Sequence, residues 1–259
     1  MIFKKDKVGC ILTKSIFYCY FGVMKKMIIA STSSVYKSSY LEYLMPTLSH
    51  FFKDITSVLF IPYARPSGIS YSQYTTIVKK SFEVINIAVK GIHEFKNPTE
   101  ALQSAEAIFT GGGNTFELLN QLYENDLLHV LREVIESGTP YLGTSAGSNL
   151  CGVSIKNTND MPIVYPPSFT SLNVIPFNIN AHYLDPIKGS THMGETRETR
   201  IKEFHVFNET PVLGLREGSW LEVTGEKIIL KGSLTARLFI QNQSPEELAP
   251  ETDLAYLGK

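Results

Sequence analysis

An α/β fold with a mainly parallel sheet flanked by helices is what this sequence predicts, and three observations predict it. Several short runs are apolar at every position, the mark of strands buried on both faces. Segments with helical apolar spacing alternate with them, as in a βαβ series. One of the strands runs straight into Gly143-Thr-Ser-Ala-Gly147, a glycine-bounded turn from strand to helix.

Met27-Ile-Ile-Ala30 is the first buried strand, and Ser31–Ser34 with Ser38-Ser39 form the polar loop after it. Tyr40, Leu41, Leu44 and Leu48 then fall at helical spacing. Ser57-Val-Leu-Phe-Ile-Pro62 is a second strand, followed by a loop with Pro66 and Gly68. Tyr74, Ile77, Val78, Phe82 and Ile85 mark an amphipathic helix. Ala107-Ile-Phe-Thr110 is a strand that ends in Gly111-Gly-Gly-Asn114. Helical spacing returns from Phe116 to Leu122 and from Leu127 to Val134, Gly138 stops it, and Pro140 opens the strand into the turn at Ser145. Beyond the turn, Ser171–Asn180 reads as a strand and Gly194–Phe204 as a charged helix. Val212–Leu215, Ser219–Val223, Lys227–Leu230 and Leu234–Ile240 read as a meander, and Ser244–Lys259 as a polar tail.

Residues 1–26 stand apart as an N-terminal extension. Lysines interrupt their apolar stretches, Lys14 splits the run a signal peptide needs, and no small-x-small site follows. A membrane span takes about 20 apolar residues, more than this stretch offers. Folded-domain periodicity begins at Met27, a plausible alternative start, so residues 27–259 are expected to form a single catalytic domain. The net charge of −1 recommends neither nucleic acid nor a membrane surface as partner. Cys10, Cys19 and Cys151 are too few and too irregular for a disulfide framework or a zinc site, which fits a reducing, cytoplasmic compartment.

The chemistry centres on Ser145. Gly143-Thr-Ser-Ala-Gly147 matches G-x-S-x-G, a turn so tight that the flanking positions must be small. It lifts the serine hydroxyl to the carboxyl end of a strand and aims the N–H of Ala146 toward a developing oxyanion. Gly112 and Gly113 can contribute further N–H groups, and Asn114 with Glu117 is a helix-capping pattern directly after them. A serine needs a base. His129 and His205 lie within helical patterns, whereas His182 and His192 lie in loops; His182 follows an apolar strand, a favourable position. An acid must orient the base. Asp160, in the polar loop Asn157–Pro162, and Glu217, before Gly218, are rivals for that place. The order Ser145, Asp160, His182 matches a serine–acid–histidine order, although such sites are defined by geometry.

With these residues assembled, the chain resembles peptidase E, the α-aspartyl dipeptidase family of serine peptidases. The resemblance rests on GGGNTFELL (111–119), YLGTSAGSNL (141–150), NTNDMPIV (157–164), FNINAHY (177–183), HMGETRETRIK (192–202) and LREGSW (215–220). It implies a class I glutamine-amidotransferase-like, flavodoxin-like sandwich carrying serine at the elbow where the amidotransferases carry cysteine. It implies hydrolysis of Asp-Xaa dipeptides without a cofactor, by a monomer or homodimer. On the matching positions the nucleophile falls on Ser145, the acid of the charge relay on Asp160 with Glu217 as rival, and the histidine on His182. Ala181 stands where the family usually has proline. The arginine of Gly194-Glu-Thr-Arg197 would bind the substrate's aspartate side chain. Two other readings share the fold: a cyanophycinase-like hydrolase of β-aspartyl linkages, and a catalytically silent binding protein.

Overall fold

The computed structural model describes residues 24–186, 189, 191 and 193–258; the expectations for residues 1–23 and for His192 lie outside them. In chain order the strands are β1 (Lys26–Ala30), β2 (Ser57–Ile61), β3 (Ala88–Gly91), β4 (Ile108–Thr110), β5 (Tyr141–Thr144), β6 (Asn178–Ala181), β7 (Val212–Leu215), β8 (Trp220–Thr224), β9 (Lys227–Lys231), β10 (Ala236–Phe239) and β11 (Glu246–Leu248). The α-helices are α1 (Met45–Phe51), α2 (Tyr71–Glu83), α3 (Pro98–Gln103), α4 (Thr115–Glu124), α5 (Leu128–Glu136), α6 (Ala146–Asn149) and α7 (Arg197–Phe207).

A seven-stranded sheet runs in the order β3-β2-β4-β5-β1-β8-β9. The five strands from β3 to β1 are parallel, and the β8–β9 hairpin closes the sheet antiparallel against β1. This is the mainly parallel α/β sheet that the apolar runs predict. Alternation along each strand feeds two cores. Ile28, Val58, Phe60, Phe109 and Leu142 face α1 and α2, while Met27, Ile29, Leu59, Ile61, Ile108 and Tyr141 face α3, α4, α5 and a second sheet. The edge strands β3 and β9 carry alternate exposed or half-exposed residues, as expected where one face is partly wet.

The second half departs from the sequence reading. The expected meander divides: β8 and β9 join the large sheet, whereas β7 and β10 belong to a four-stranded sheet ordered β11-β10-β7-β6. The expected strand over 171–180 shrinks to Asn178–Ala181. Residues 172–175 instead donate to carbonyls of Leu150, Cys151 and Gly152 behind the elbow helix, and Pro176 has no N–H for a ladder. The supposed polar tail supplies β11, which pairs with β10 and buries Leu248. At the amino end, β1 starts at Lys26, one residue before the expected boundary, and Gly225 N–H donates to Lys25 at 2.8 Å.

Asparagines on β6 tie the two halves of the site region together. Asn178 accepts from Ser154 N–H at 2.9 Å and donates to the Ser154 hydroxyl at 3.2 Å. Asn180 donates to the Asn157 carbonyl at 2.8 Å and accepts from Asn159 at 2.9 Å; Asn157 in turn donates to the Ile179 carbonyl at 3.0 Å. Asn178 and Asn180 are buried, so each lost partner leaves a desolvated polar group. Asn178→Ala should cost about 1–3 kcal/mol, read as a lower urea midpoint at unchanged slope.

Candidate active site

The site forms at the carboxyl ends of β1, β4 and β5, where ligands collect in open parallel sheets. Thr144 ends β5 and Ser145 follows with φ 54° and ψ −111°, a conformation that costs of order 1–3 kcal/mol for a non-glycine residue. Several bonds hold it there. Ser145 N–H donates to the Ala30 carbonyl at 3.1 Å. The buried Ser148 hydroxyl reaches both Ala30 and Gly143 carbonyls, at 2.6 and 2.9 Å. Tyr141 donates to the Gly147 carbonyl at 3.0 Å. Gly147 packs so closely that a Cβ there would run into the Thr110 carbonyl.

His182 follows β6 and also has positive φ, 54°. Its Nε2 lies 2.8 Å from Ser145 Oγ, and its Nδ1 lies 2.7 Å from Glu217 Oε1. The parallel register of β6 with β7 produces the second contact. Ala181 opposes Leu215, so the residues beyond them, His182 and Glu217, emerge side by side. Ser31 fastens the junction: its hydroxyl donates to Leu215 at 2.7 Å and accepts from His182 N–H at 2.9 Å. Ser31 N–H donates to Ser219 at 3.1 Å, gripping the turn that carries Glu217. Asn149, from the elbow helix, accepts from Ala181 N–H at 3.3 Å.

Asp160 stands elsewhere. Its Oδ2 accepts from Thr115 N–H at 2.7 Å and from the Thr115 hydroxyl, at the start of α4. The carboxylate that the structure brings to His182 is thus Glu217, and Asp160 is not brought to the imidazole. The asparagine contacts hold loop 154–160 along β6 and deliver Asp160 to α4, while β7 brings Glu217 to the imidazole. Asp160 still belongs to the same region. Its charge acts on Arg197, whose guanidinium is lowered from its ordinary value by partial burial and by Arg200 and supported by Asp160. Arg197 opens α7, with Thr196 as the capping residue.

Gly112 lies directly against Ser145: a Cβ on it would be 2.9 Å from that of the serine. Tyr74 donates to the Gly112 carbonyl at 3.2 Å, and Asn114 N–H donates to Ala64 at 2.8 Å, fixing the glycine loop from both sides. Asn114 caps α4 by accepting from Glu117 N–H at 3.0 Å. Among the described residues, the N–H groups of Gly112, Gly113 and Ala146 donate to no backbone carbonyl or side chain, and so remain free to receive an oxyanion. Cys151 is buried behind the elbow, and burial pushes its thiol up, which leaves it inert. Among the described residues no cluster of three or more His, Cys, Asp or Glu side chains could hold a metal, and no helix is long and apolar enough to cross a membrane.

Sequence reasoning finds Ser145, His182 and the glycine loop but passes over Ser31, Thr115 and Asn149. A serine at the end of a wholly buried strand was the available signal for Ser31.

A strained serine, a histidine in contact with it and a carboxylate behind the histidine define the arrangement of a serine hydrolase. Residues 27–231 match the model of peptidase family S51, and the chain belongs to that family. It is 45% identical over 231 residues to Peptidase E of Streptomyces coelicolor, covering 89% of this chain and 94% of the relative. It is 46% identical over 236 residues to a Drosophila melanogaster protein named "Probable alpha-aspartyl dipeptidase", covering 90% and 97%. In fold it is similar to the crystal structure of a peptidase from an acI-B1 Actinobacterium, with TM-score 0.65 and 16% identity over 90% of this chain and 98% of that one.

Gly147→Ala should destabilise the protein by about 1–3 kcal/mol, measured by urea unfolding, because the Thr110 carbonyl must move for the methyl group to fit.

Proposed function

We propose that this chain is a serine dipeptidase that releases aspartate from Asp-Xaa dipeptides through an acyl-enzyme on Ser145. One observation carries the reading: the Ser145–His182–Glu217 hydrogen-bonded chain, 2.8 and 2.7 Å, stands on the strained elbow of a peptidase-family protein. The name of the Drosophila relative supports the substrate class.

Glu217 holds the Nδ1–H tautomer of His182, leaving Nε2 to accept the proton as Ser145 Oγ attacks the carbonyl carbon. The oxyanion that forms is received by the N–H of Ala146 and by those of the Gly112–Gly113 loop. Each such donor is typically worth about 3 kcal/mol. The C–N bond then breaks, and His182 returns the proton to the departing amine. Water repeats the sequence on the ester, freeing aspartate and Ser145. Arg197 faces the aspartate side chain, since a guanidinium takes a carboxylate through two parallel bonds. Asp160, whose charge acts on Arg197, is in this reading the partner of the free α-ammonium.

Hydrolysis of Asp-Leu should be read beside Asn-Leu, Glu-Leu, β-Asp-Leu and N-acetyl-Asp-Leu, with wild type and Ser145→Ala. Turnover of Asp-Leu alone, lost in the variant, is expected. Turnover of the β-linked compound alone would move the chain to β-aspartyl hydrolysis, and turnover of none by a folded protein would overturn the enzymatic reading.

The acid assignment has its own test. Glu217→Gln should lower kcat by about 10²–10⁴-fold with little change in KM, whereas Asp160→Asn should act mainly on KM. The reverse pattern in steady-state kinetics would restore Asp160 as the orienting acid.

A further inference from the structure

Glu217 and His182 both lie on loops, and their side chains are 48% and 37% exposed. Among the described residues, Glu217 has no hydrogen-bond partner besides His182. The orientation of the pair therefore depends on what holds the two loops behind it.

The residue preceding Glu217 is Arg216. Its Nε and Nη2 form a fork on both oxygens of Asp185, at 2.8 and 2.8 Å, and Asp185 lies on the loop that leaves His182. The same guanidinium donates to both oxygens of Glu247 on β11, at 3.0 and 3.1 Å, and to the Thr235 carbonyl at 2.7 Å. Glu247 is shared. Arg237 Nη1 reaches its Oε1 at 3.0 Å, and the Thr235 hydroxyl reaches its Oε2 at 2.7 Å. Through its other arm, Arg237 Nη2, the chain of pairs continues to Glu198 at 3.0 Å. Glu198 is the residue after Arg197.

We propose that Asp185, Arg216, Glu247, Arg237 and Glu198 form a positioning network that sets the His182–Glu217 pair and Arg197 in register with Ser145. The inference rests on the serine dipeptidase reading above. Each end of the network is next to, or three residues from, a residue of the site. Isolated surface pairs orient little, but Arg216 is only 15% exposed and its planar fork grips two carboxylates at once. Burial alone would raise the Glu247 carboxyl; the bonds from Arg216, Thr235 and Arg237 outweigh it and lower the group to about 2. The hub thus stays ionised throughout the range in which a peptidase works.

Two substitutions separate the branches. Glu247→Gln keeps the shape of the hub and removes its charge. Asp185→Asn, at a side chain 49% exposed, detaches only the His182 loop from Arg216. Both are compared with Lys231→Ala, which breaks the Lys231–Glu251 pair outside the network. Glu247→Gln should lower kcat on Asp-Leu by about 10- to 100-fold and also narrow the preference for Asp-Leu over Asn-Leu. Asp185→Asn should lower kcat and leave that preference intact. Lys231→Ala should change neither.

A proton NMR spectrum supplies a readout independent of turnover. The Nδ1–H proton of His182, hydrogen-bonded to Glu217, should give a low-field signal in wild type that broadens or moves upfield in Glu247→Gln and Asp185→Asn. A purely structural role would lower Tm while leaving kcat, substrate preference and the low-field signal unchanged well below the transition, and that result would overturn the proposal. Should Glu247→Gln fail to fold, Asp185→Asn decides alone: an unaltered signal and kcat refute the network. If wild type hydrolyses no Asp-Xaa dipeptide, the dipeptidase reading fails, and the NMR comparison still decides whether the network orients His182.

Discussion

The Ser31 hydroxyl sits where the two sheets meet, and the site exists because of what it joins. It donates to Leu215 at the end of β7 and accepts from the N–H of His182 at the end of β6. Ser31 directly follows β1, the strand whose Ala30 carbonyl receives both Ser145 N–H and the Ser148 hydroxyl. One buried side chain therefore connects the element that holds Ser145 to the two that hold His182 and Glu217. The parallel register of β6 and β7 does the rest, since it makes His182 and Glu217 neighbours although 35 positions separate them.

Two of the residues with positive φ lie in the candidate site. Ser145 and His182 both have φ near 54°, a region that β-branched and bulky residues avoid. Such conformations persist only when surrounding contacts over-determine them. Here those contacts are the bonds to Ala30, Gly143 and Gly147 around the elbow and the Ser31 and Asn149 bonds around the histidine. Ser145 and His182 are thus held in contact by the resting fold, without waiting for a ligand to arrange them.

Much of this was legible in the sequence. The buried strands announce themselves by continuous apolar runs, and Gly143–Gly147 announces a tight turn with a serine at its tip. His182 could be found because it ends an apolar stretch. The acid could not be settled, because the choice between Asp160 and Glu217 depends on which strands pair. Local spacing says nothing about β6 lying beside β7, or about Asn157, Asn159 and Asn180 drawing Asp160 away to Thr115. The division of the supposed meander between two sheets was hidden for the same reason: β7 and β8 are consecutive in the chain, yet each finds its hydrogen-bond partners in a different sheet. The carboxyl-terminal stretch looked like a polar tail because Glu246 and Glu247 are charged, whereas Glu247 meets two arginines that arrive from β7 and β10.

The central claim is that Ser145, His182 and Glu217 act together on an aspartyl carbonyl held by Arg197. A crystal structure with the aldehyde of aspartate, an analogue of the tetrahedral intermediate, tests it most directly. The expected result is a hemiacetal on Ser145 Oγ, its oxygen against the N–H groups of Ala146 and the Gly112–Gly113 loop, His182 still on Glu217, and the side-chain carboxylate on Arg197. An aldehyde left unbonded to Ser145, or a carboxylate turned away from Arg197 with His182 redirected to Asp160, would contradict it.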